Sequence, residues 1–142
     1  MKKYMRSVSG VTLLEVMLVL AIAAMIIVMS VRYYQAATNS QQANTALEDV
    51  QNIVAAADGL AVGGGSYSAI SASISTVVGS TNMKDPTGST ISISAPSATS
   101  LQMTLNMSAP ACISAAARLS ANTKYTATCS GGTLTVTYTP GG

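Results

Sequence analysis

The sequence predicts an α+β protein in which a long N-terminal α-helix, hydrophobic in its first half, packs on a small antiparallel β-sheet. Three observations lead to this fold class. No Pro or Gly interrupts residues 11–58, so nothing there breaks a helix. Apolar residues recur at helical spacing in the second half of that segment. Further along, apolar and polar residues alternate in short runs, which is typical of strands with one buried face.

The composition of the 142 residues argues against an enzyme. Only 8% of the chain is charged, against about 25% in ordinary soluble proteins, and there is no His to act as a general base or metal ligand. The five acidic residues are scattered: Glu15, Glu48, Asp49, Asp58 and Asp85. We therefore expect no catalytic residue, no metal site and no cofactor. Three of the seven cations lie in the first six residues, which leaves no basic surface for nucleic acid.

The first element is a candidate membrane helix. Residues 11–31 carry one charge, Glu15, and as a helix they would cover roughly 30 Å, the thickness of a bilayer core. Lys2, Lys3 and Arg6 precede this run, and such cations stay in the cytoplasm, so the rest of the chain is expected on the exported side.

A secretory signal and a plain membrane anchor are two alternative roles for this segment, and both stay open. The apolar region of a secretory signal usually spans only about 7–15 residues, and Ala36-Ala37 is a weak cleavage site. Neither alternative accounts for Glu15, because a carboxylate in the centre of an apolar helix costs about 2.5–3.5 kcal/mol.

The second half of the helix becomes amphipathic after Arg32. Its apolar residues recur every three or four positions and form one stripe: Ala43, Ala46, Leu47, Val50, Ile53, Val54, Ala57 and Leu60. Such a stripe predicts ordinary core packing. Gly59 and residues 63–65, all Gly, are expected to end a helix of about 48 residues, counted from residue 11.

The chain then enters a Ser-rich connector, residues 66–88. Ile70, Ile74, Val77 and Val78 fit a short helix or a strand, and we favour the helix while leaving residues 66–80 open. Asp85-Pro86 and Thr87-Gly88, within residues 82–88, predict a turn.

Residues 91–142 show the patterns expected of strands. Ile91 and Ile93 alternate with Ser, and in residues 101–107 Leu and Met alternate with polar residues. Residues 95–97 lie between these two runs and are interpreted as a hairpin loop. Residues 111–119 predict a helix that follows Pro110. A last strand, residues 134–138, follows two Gly residues, so three or four antiparallel strands are expected.

Cys112 and Cys129 have 16 residues between them and lie on the expected exported side, where a disulfide is favoured over two free thiols. A loop of this size contributes about 3 kcal/mol. The bridge would tie helix 111–119 to the start of the last strand. Two Cys without His do not make a zinc site.

Residues 9–16, Ser-Gly-Val-Thr-Leu-Leu-Glu-Val, resemble the class III signal of type IV pilins and related pseudopilins. In that family a short basic leader ends in Gly, prepilin peptidase cuts after this Gly, and the new N-terminus is N-methylated. The resemblance implies cleavage between Gly10 and Val11, methylation of Val11, and a role for Glu15, the fifth mature residue, in assembly and methylation. Val11 stands where type IVa pilins usually have Phe, so the sequence is more similar to type IVb pilins.

Glu15 also has a physical rationale. Once the leader is removed, Val11 carries an α-amino cation, and Glu15 of a neighbouring copy can pair with it inside an apolar bundle. The alternative is a solvated carboxylate at the level of the headgroups.

The resemblance implies three parts: a leader (1–10), a transmembrane and filament-core helix (11–34) and a globular head (35–142). It also implies a C-terminal disulfide. The expected function is that of a pilus subunit for adhesion, aggregation or mating contact. Its expected partners are prepilin peptidase, the inner-membrane assembly machinery and other copies of itself, with no nucleic acid. The precursor would lie in the inner membrane and the mature protein in an extracellular fimbrium. A minor pilin, a type II secretion pseudopilin and a membrane-anchored periplasmic domain remain alternatives.

Overall fold

In a computed structural model of the chain, residue 10 and residues 12–64, 66–79 and 83–141 are described. Residues 1–9, which belong to the expected leader, and Val11 lie outside the described residues. Within the described residues three helices and four strands follow one another: α1 (Leu13–Gly64), α2 (Tyr67–Val78), β1 (Ser92–Ser97), β2 (Ser100–Asn106), α3 (Ala109–Leu119), β3 (Tyr125–Ser130) and β4 (Thr133–Tyr138). The chain divides into two compact units, residues 1–36 and 37–142. We call the second unit the head, and it begins two residues after the start expected from the resemblance.

Helix α1 is 52 residues long and confirms the long N-terminal helix. It continues through Gly59, where we expected it to end. A Gly inside a helix costs only about 1 kcal/mol relative to Ala. Leu60 and Ala61 pack partly against the core of the head, and this packing keeps the last turn helical.

The amphipathic stripe of α1 lies in the core, as predicted. The Ala, Val and Ile residues of the stripe are buried, and its two Leu residues, Leu47 and Leu60, are partly buried. The sheet has the order β1-β2-β4-β3, and all its neighbours are antiparallel. One face of it is apolar, and it contributes the buried side chains Leu101, Met103, Leu105, Leu134, Val136 and Tyr138. The predicted α+β class is therefore confirmed.

The other face of the sheet is polar. Thr104, Thr135 and Thr128 lie opposite one another on β2, β4 and β3, and Thr137 pairs with Thr126 in the same way. These side chains are exposed or half-buried. The alternation of Thr with apolar residues thus gives the sheet one solvated face and one core face.

The connector contains helix α2, which agrees with the favoured interpretation. α2 packs against the edge strand β1 and ends before Gly79, which has a φ of +83°. Helix α3 packs against β3 and β4 and buries Ala111, Cys112, Ala115 and Leu119.

The predicted hairpin loop at residues 95–97 is wrong. These residues belong to β1, and the turn is Ala98-Thr99, because Ser97 pairs with Ser100. Pro96 has no N–H to donate, but β1 is an edge strand, where this is tolerated. The pairing register shifts between Ser94 and Ser97, which accommodates the proline.

Candidate processing and assembly site

Gly10 precedes α1 and is exposed. A Cβ atom added to it would meet no atom within 4 Å, so no described part of the chain requires a glycine there. Val11, the predicted first mature residue, lies outside the described residues. Packing within the described residues therefore gives no reason for a glycine at this position.

Thr12 and Glu15 form the start of α1. The Glu15 N–H donates to the Thr12 carbonyl oxygen at 3.0 Å and is 3.3 Å from Thr12 Oγ1. Thr followed three residues later by Glu is the sequence pattern of a capping box, so the start of this helix could have been predicted from the sequence. The exposed Glu15 lies in the first turn, where the helix dipole favours a carboxylate. Glu15 thus has a local role besides the predicted one in assembly.

The apolar half of α1 has no core of its own to pack against. Its large apolar side chains from Leu13 to Val31 are all exposed, and even the most covered of them, Val16, is 45% exposed. An 18-residue window of this helix has a mean hydropathy of 2.7 and no buried residue, so the helix is long and apolar enough to cross a membrane. Ser30 Oγ donates to the Ile26 carbonyl oxygen at 2.8 Å, which satisfies the hydroxyl within the helix.

Cys112 and Cys129 form the expected disulfide, with their Cα atoms 5.8 Å apart. The predicted position of this disulfide in the fold was wrong in one respect. Cys129 lies near the end of β3, opposite Leu134 of β4, and not at the start of the last strand. Strand β3 was not predicted, although Tyr125, Ala127 and Cys129 alternate with Thr and Ser. The bridge therefore ties α3 to an edge strand.

Asp58 anchors α1 to two other elements, a feature that was not predicted from the sequence. Tyr67 Oη, at the start of α2, donates to Asp58 Oδ1 at 2.5 Å, and Tyr138 Oη, at the end of β4, donates to Oδ2 at 2.9 Å. The Tyr67 and Tyr138 rings meet edge to face, with centroids 6.3 Å apart. Burial and the hydrogen bond to Asp58 raise the pKa of Tyr138 to about 12, and the pKa of Tyr67 is raised by the same causes. We call these three residues the tyrosine clamp.

Asp85 organises the predicted turn. Its side chain is only 4% exposed. Oδ1 accepts hydrogen bonds from Thr87 N, Thr87 Oγ1 and Ser89 N, at 3.0, 2.6 and 2.9 Å, and Oδ2 accepts one from Asn106 N of β2 at 2.9 Å. Burial alone would raise the pKa of this carboxyl group, but the four hydrogen bonds lower it below its usual value. The turn signal was visible in the sequence, whereas the link to β2, 21 residues away, was not.

Asp49 lies beside a cleft between α1 and the end of α2. The cleft has a volume of about 470 Å³ and is lined by Asp49, Asn52, Ala56, Val77 and Val78. Asp49 Oδ2 is buried and accepts no hydrogen bond from any of the described residues. Burial, followed by the charges of Glu48 and Asp85, raises the pKa of this carboxyl group.

Among the described residues, no group of three or more His, Cys, Asp or Glu side chains could hold a metal ion. No protein-family model matches the chain, and no curated protein or solved structure is significantly similar to it. The assignment of function therefore depends on the chain's own residues.

Proposed function

We propose that the chain is the structural subunit of a type IV pilus, most similar to the type IVb pilins. Prepilin peptidase would trim it after Gly10 and methylate Val11, and copies would polymerise through the N-terminal helix into surface filaments. The proposal rests chiefly on the junction at residues 9–16, which leads into a helix whose large apolar side chains from Leu13 to Val31 are exposed.

The junction fits a processing site because Gly10 has no packing role among the described residues. A protease that accepts only a residue without a side chain would account for the glycine. Removal of Lys2, Lys3 and Arg6 with the leader leaves four cations and five acids, a formal charge of −1. A nearly neutral subunit suits the close packing of many copies.

The exposed apolar half of α1 supports assembly through this segment. A helix that is apolar all round is buried in lipid or among other helices. The first environment suits the precursor in the inner membrane, and the second suits the core of a filament. Glu15 and the α-amino group of Val11 would neutralise each other between neighbouring copies in that core.

Intact-mass measurement of the mature protein and of sheared surface filaments tests processing. We expect a chain that begins at Val11 and carries one methyl group, and we expect it to be the main component of the filaments. Gly10→Val should leave the precursor uncut, whereas Ser9→Ala is the matched control and should be processed. A mature chain that begins at Met1, or after Ala37, would contradict the proposal, and a trace amount in filaments would indicate a minor pilin.

Two substitutions separate the roles of Glu15. Glu15→Ala should keep a normal amount of subunit in the membrane but lower the yield of sheared filaments at least about tenfold, because the interior charge of Val11 loses its partner. Thr12→Val removes the side-chain acceptor at the start of α1 and keeps the carboxylate. It should therefore leave filament yield nearly unchanged. If both variants lose filaments equally, the local capping role is sufficient and the pairing hypothesis is wrong.

A further inference from the structure

Three consecutive residues of α1, Arg32, Tyr33 and Tyr34, follow directly after its apolar half. Arg32 is the only charged residue between Glu15 and Glu48. All three side chains are exposed, Tyr33 to 79% and Tyr34 to 72%. Consecutive residues of a helix point in directions about 100° apart, so the three side chains together face more than half of the circumference of α1. We call Arg32, Tyr33 and Tyr34 the collar.

The residue types of the collar suit the boundary between lipid and water. Tyr is enriched at the level of the phospholipid headgroups, because its ring is apolar and its hydroxyl is polar. Arg keeps its guanidinium in water there, and its charge is complementary to the anionic phosphates, with which it forms paired hydrogen bonds. The apolar side chains before the collar suit only lipid or other helices. The collar therefore fits the place where α1 leaves the apolar core of a bilayer.

The spacing between the collar and the cleavage junction matches the thickness of a bilayer. From Leu13, the first residue of α1, to Arg32 the helix covers about 29 Å. The apolar core of a bilayer is about 30 Å thick. With Arg32 among the headgroups of the exported leaflet, Leu13 would lie at the cytoplasmic border of the core. Gly10, three residues before Leu13, would then lie just outside this border on the cytoplasmic side.

This inference rests on the proposed function, in which the precursor spans the inner membrane with its N-terminus in the cytoplasm. We propose that the collar binds the phospholipid headgroups of the exported leaflet and thereby fixes the depth at which Gly10 meets prepilin peptidase. The collar acts through the length of the helix and does not touch the bond that is cut. Its three members are therefore positioning residues.

Loss of the collar would release the helix toward the cytoplasm. The cations of the leader already resist movement in the other direction, because charged side chains are costly within the apolar core. With apolar residues in place of the collar, the apolar run would extend to Gln35, by three residues or about 4.5 Å of helix. The helix could then slide by this distance and carry Gly10 away from the membrane surface.

Substitution of the collar in the full chain tests its role in cleavage. Arg32→Leu, Tyr33→Leu and Tyr34→Leu, made together, should slow removal of the leader in a pulse-labelling experiment at least about tenfold, because a small misplacement of a reacting bond is costly. Arg32→Lys, Tyr33→Trp and Tyr34→Trp form the matched control, since Lys and Trp also favour the membrane interface. This variant should be cleaved at nearly the wild-type rate. Equal amounts of precursor with an intact disulfide would show that the head folds in both.

Insertions separate the spacing from the composition of the helix. Three Ala residues inserted between Val31 and Arg32 lengthen the span between Gly10 and the collar by about 4.5 Å, and they should slow cleavage as the Leu substitutions do. The same three residues inserted between Tyr34 and Gln35 lengthen and rotate the helix equally but leave that span unchanged. Cleavage of this second variant should proceed at nearly the wild-type rate.

Thiol labelling measures the depth of the helix without the peptidase. In the Gly10→Val precursor, which is expected to stay uncut, Leu13→Cys would place a thiol at the cytoplasmic border of the core. Inverted inner-membrane vesicles expose this side to a membrane-impermeant maleimide. The three Leu substitutions in the collar should raise the labelling rate severalfold, and the Lys and Trp substitutions should leave it unchanged.

The outcomes distinguish this inference from the proposed function. A wild-type chain that keeps its leader contradicts the proposed function, and the labelling rate then decides whether the collar sets the depth of the helix. If the wild type is cleaved but the Leu variant is cleaved equally fast, the collar does not position Gly10 and the inference is overturned. Equal cleavage rates of the two insertion variants, or a labelling rate that the Leu substitutions do not change, would overturn it as well.

Discussion

Asp58 holds three elements together through one carboxylate, because both of its oxygens accept a tyrosine hydroxyl. Tyr138→Phe should lower the free energy of unfolding of a fragment of residues 35–142 by about 1–2 kcal/mol, as a hydrogen bond to a charged group is lost. Tyr125→Phe is the control, since its ring packs against Tyr138 while no hydrogen bond joins its hydroxyl to Asp58. Urea denaturation measures the free energy of unfolding of both variants. An equal decrease in the two variants would contradict the role of the clamp.

The tyrosine clamp also predicts the pH range in which the head unfolds in alkaline solution. The folded-state pKa of Tyr138 is raised to about 12, so its contribution to stability is fully present below the ordinary value near 10. That contribution should be lost as the pH rises from about 10 to about 12. Absorbance titration of tyrosinate, run beside circular dichroism, should show the unfolding of the wild-type fragment in this window. Because Tyr67 titrates in the same clamp, the comparison is the double variant Tyr67→Phe, Tyr138→Phe, and alkaline unfolding of this variant at the wild-type pH would argue against the clamp as its cause.

Asp85 and Asp49 should respond to acid in opposite ways. The folded-state pKa of Asp85 is lowered, so its contribution is present above about pH 4, the unfolded value, and is lost as the pH falls through the folded value. Asp85→Asn should therefore cost stability at neutral pH, by about 2–3 kcal/mol, and cost less at acid pH.

Asp49 is the matched comparison. Its folded-state pKa is raised, so its ionisation removes stability as the pH rises from the unfolded value to the folded one. Asp49→Asn should make the fragment more stable than wild type at neutral pH, and the difference should shrink at acid pH. Denaturation curves at several pH values measure both variants, and the same sign for both would contradict these assignments.

At the scale of elements, patterns within a few residues were predictable and distant pairings were not. Before Arg32 nearly every residue is apolar, whereas after it the apolar residues form one stripe, and this change predicted both halves of α1. The alternation of apolar and polar residues in 101–107 and 134–138 predicted β2 and β4. Strand β3 was missed because its core-facing positions are Tyr125, Ala127 and Cys129, which carry a weak apolar signal. The clamp was missed because Asp58 and Tyr138 are 80 residues apart. The capping pattern of Thr12 and Glu15 was visible but overlooked.

The disulfide is the strongest link between two elements of the head. Replacement of both Cys112 and Cys129 by Ser should lower the free energy of unfolding by about 3 kcal/mol, because the bridge restrains a loop of 17 residues in the unfolded chain. A small head has few other means of compensating this loss. Alkylation without reduction should label neither Cys in wild type, and two labelled thiols in exported protein would contradict the bridge.

At the scale of the whole molecule, the two units differ in whether the apolar side chains of α1 are buried. The apolar side chains before Arg32 are exposed, whereas the stripe of α1 after residue 42 is buried within the head. The fragment of residues 35–142 should therefore be soluble, folded and monomeric, with its disulfide intact. Light scattering gives the mass of the particle. Polymerisation of this fragment would place the main filament contacts in the head, and failure to fold would show that the head needs residues before Gln35.

The disulfide has a consequence for proteolysis of the head. From Asp85 to Gly142 the chain contains only two basic residues, Arg118 and Lys124, and both lie between Cys112 and Cys129. Trypsin can cut this part of the chain only inside the loop that the bridge closes. After such cleavage the bridge still joins α3 covalently to β3 and β4, and only residues 119–124 are released if both sites are cut. The α3 piece and the β3–β4 piece lose their covalent link only when a reductant is added.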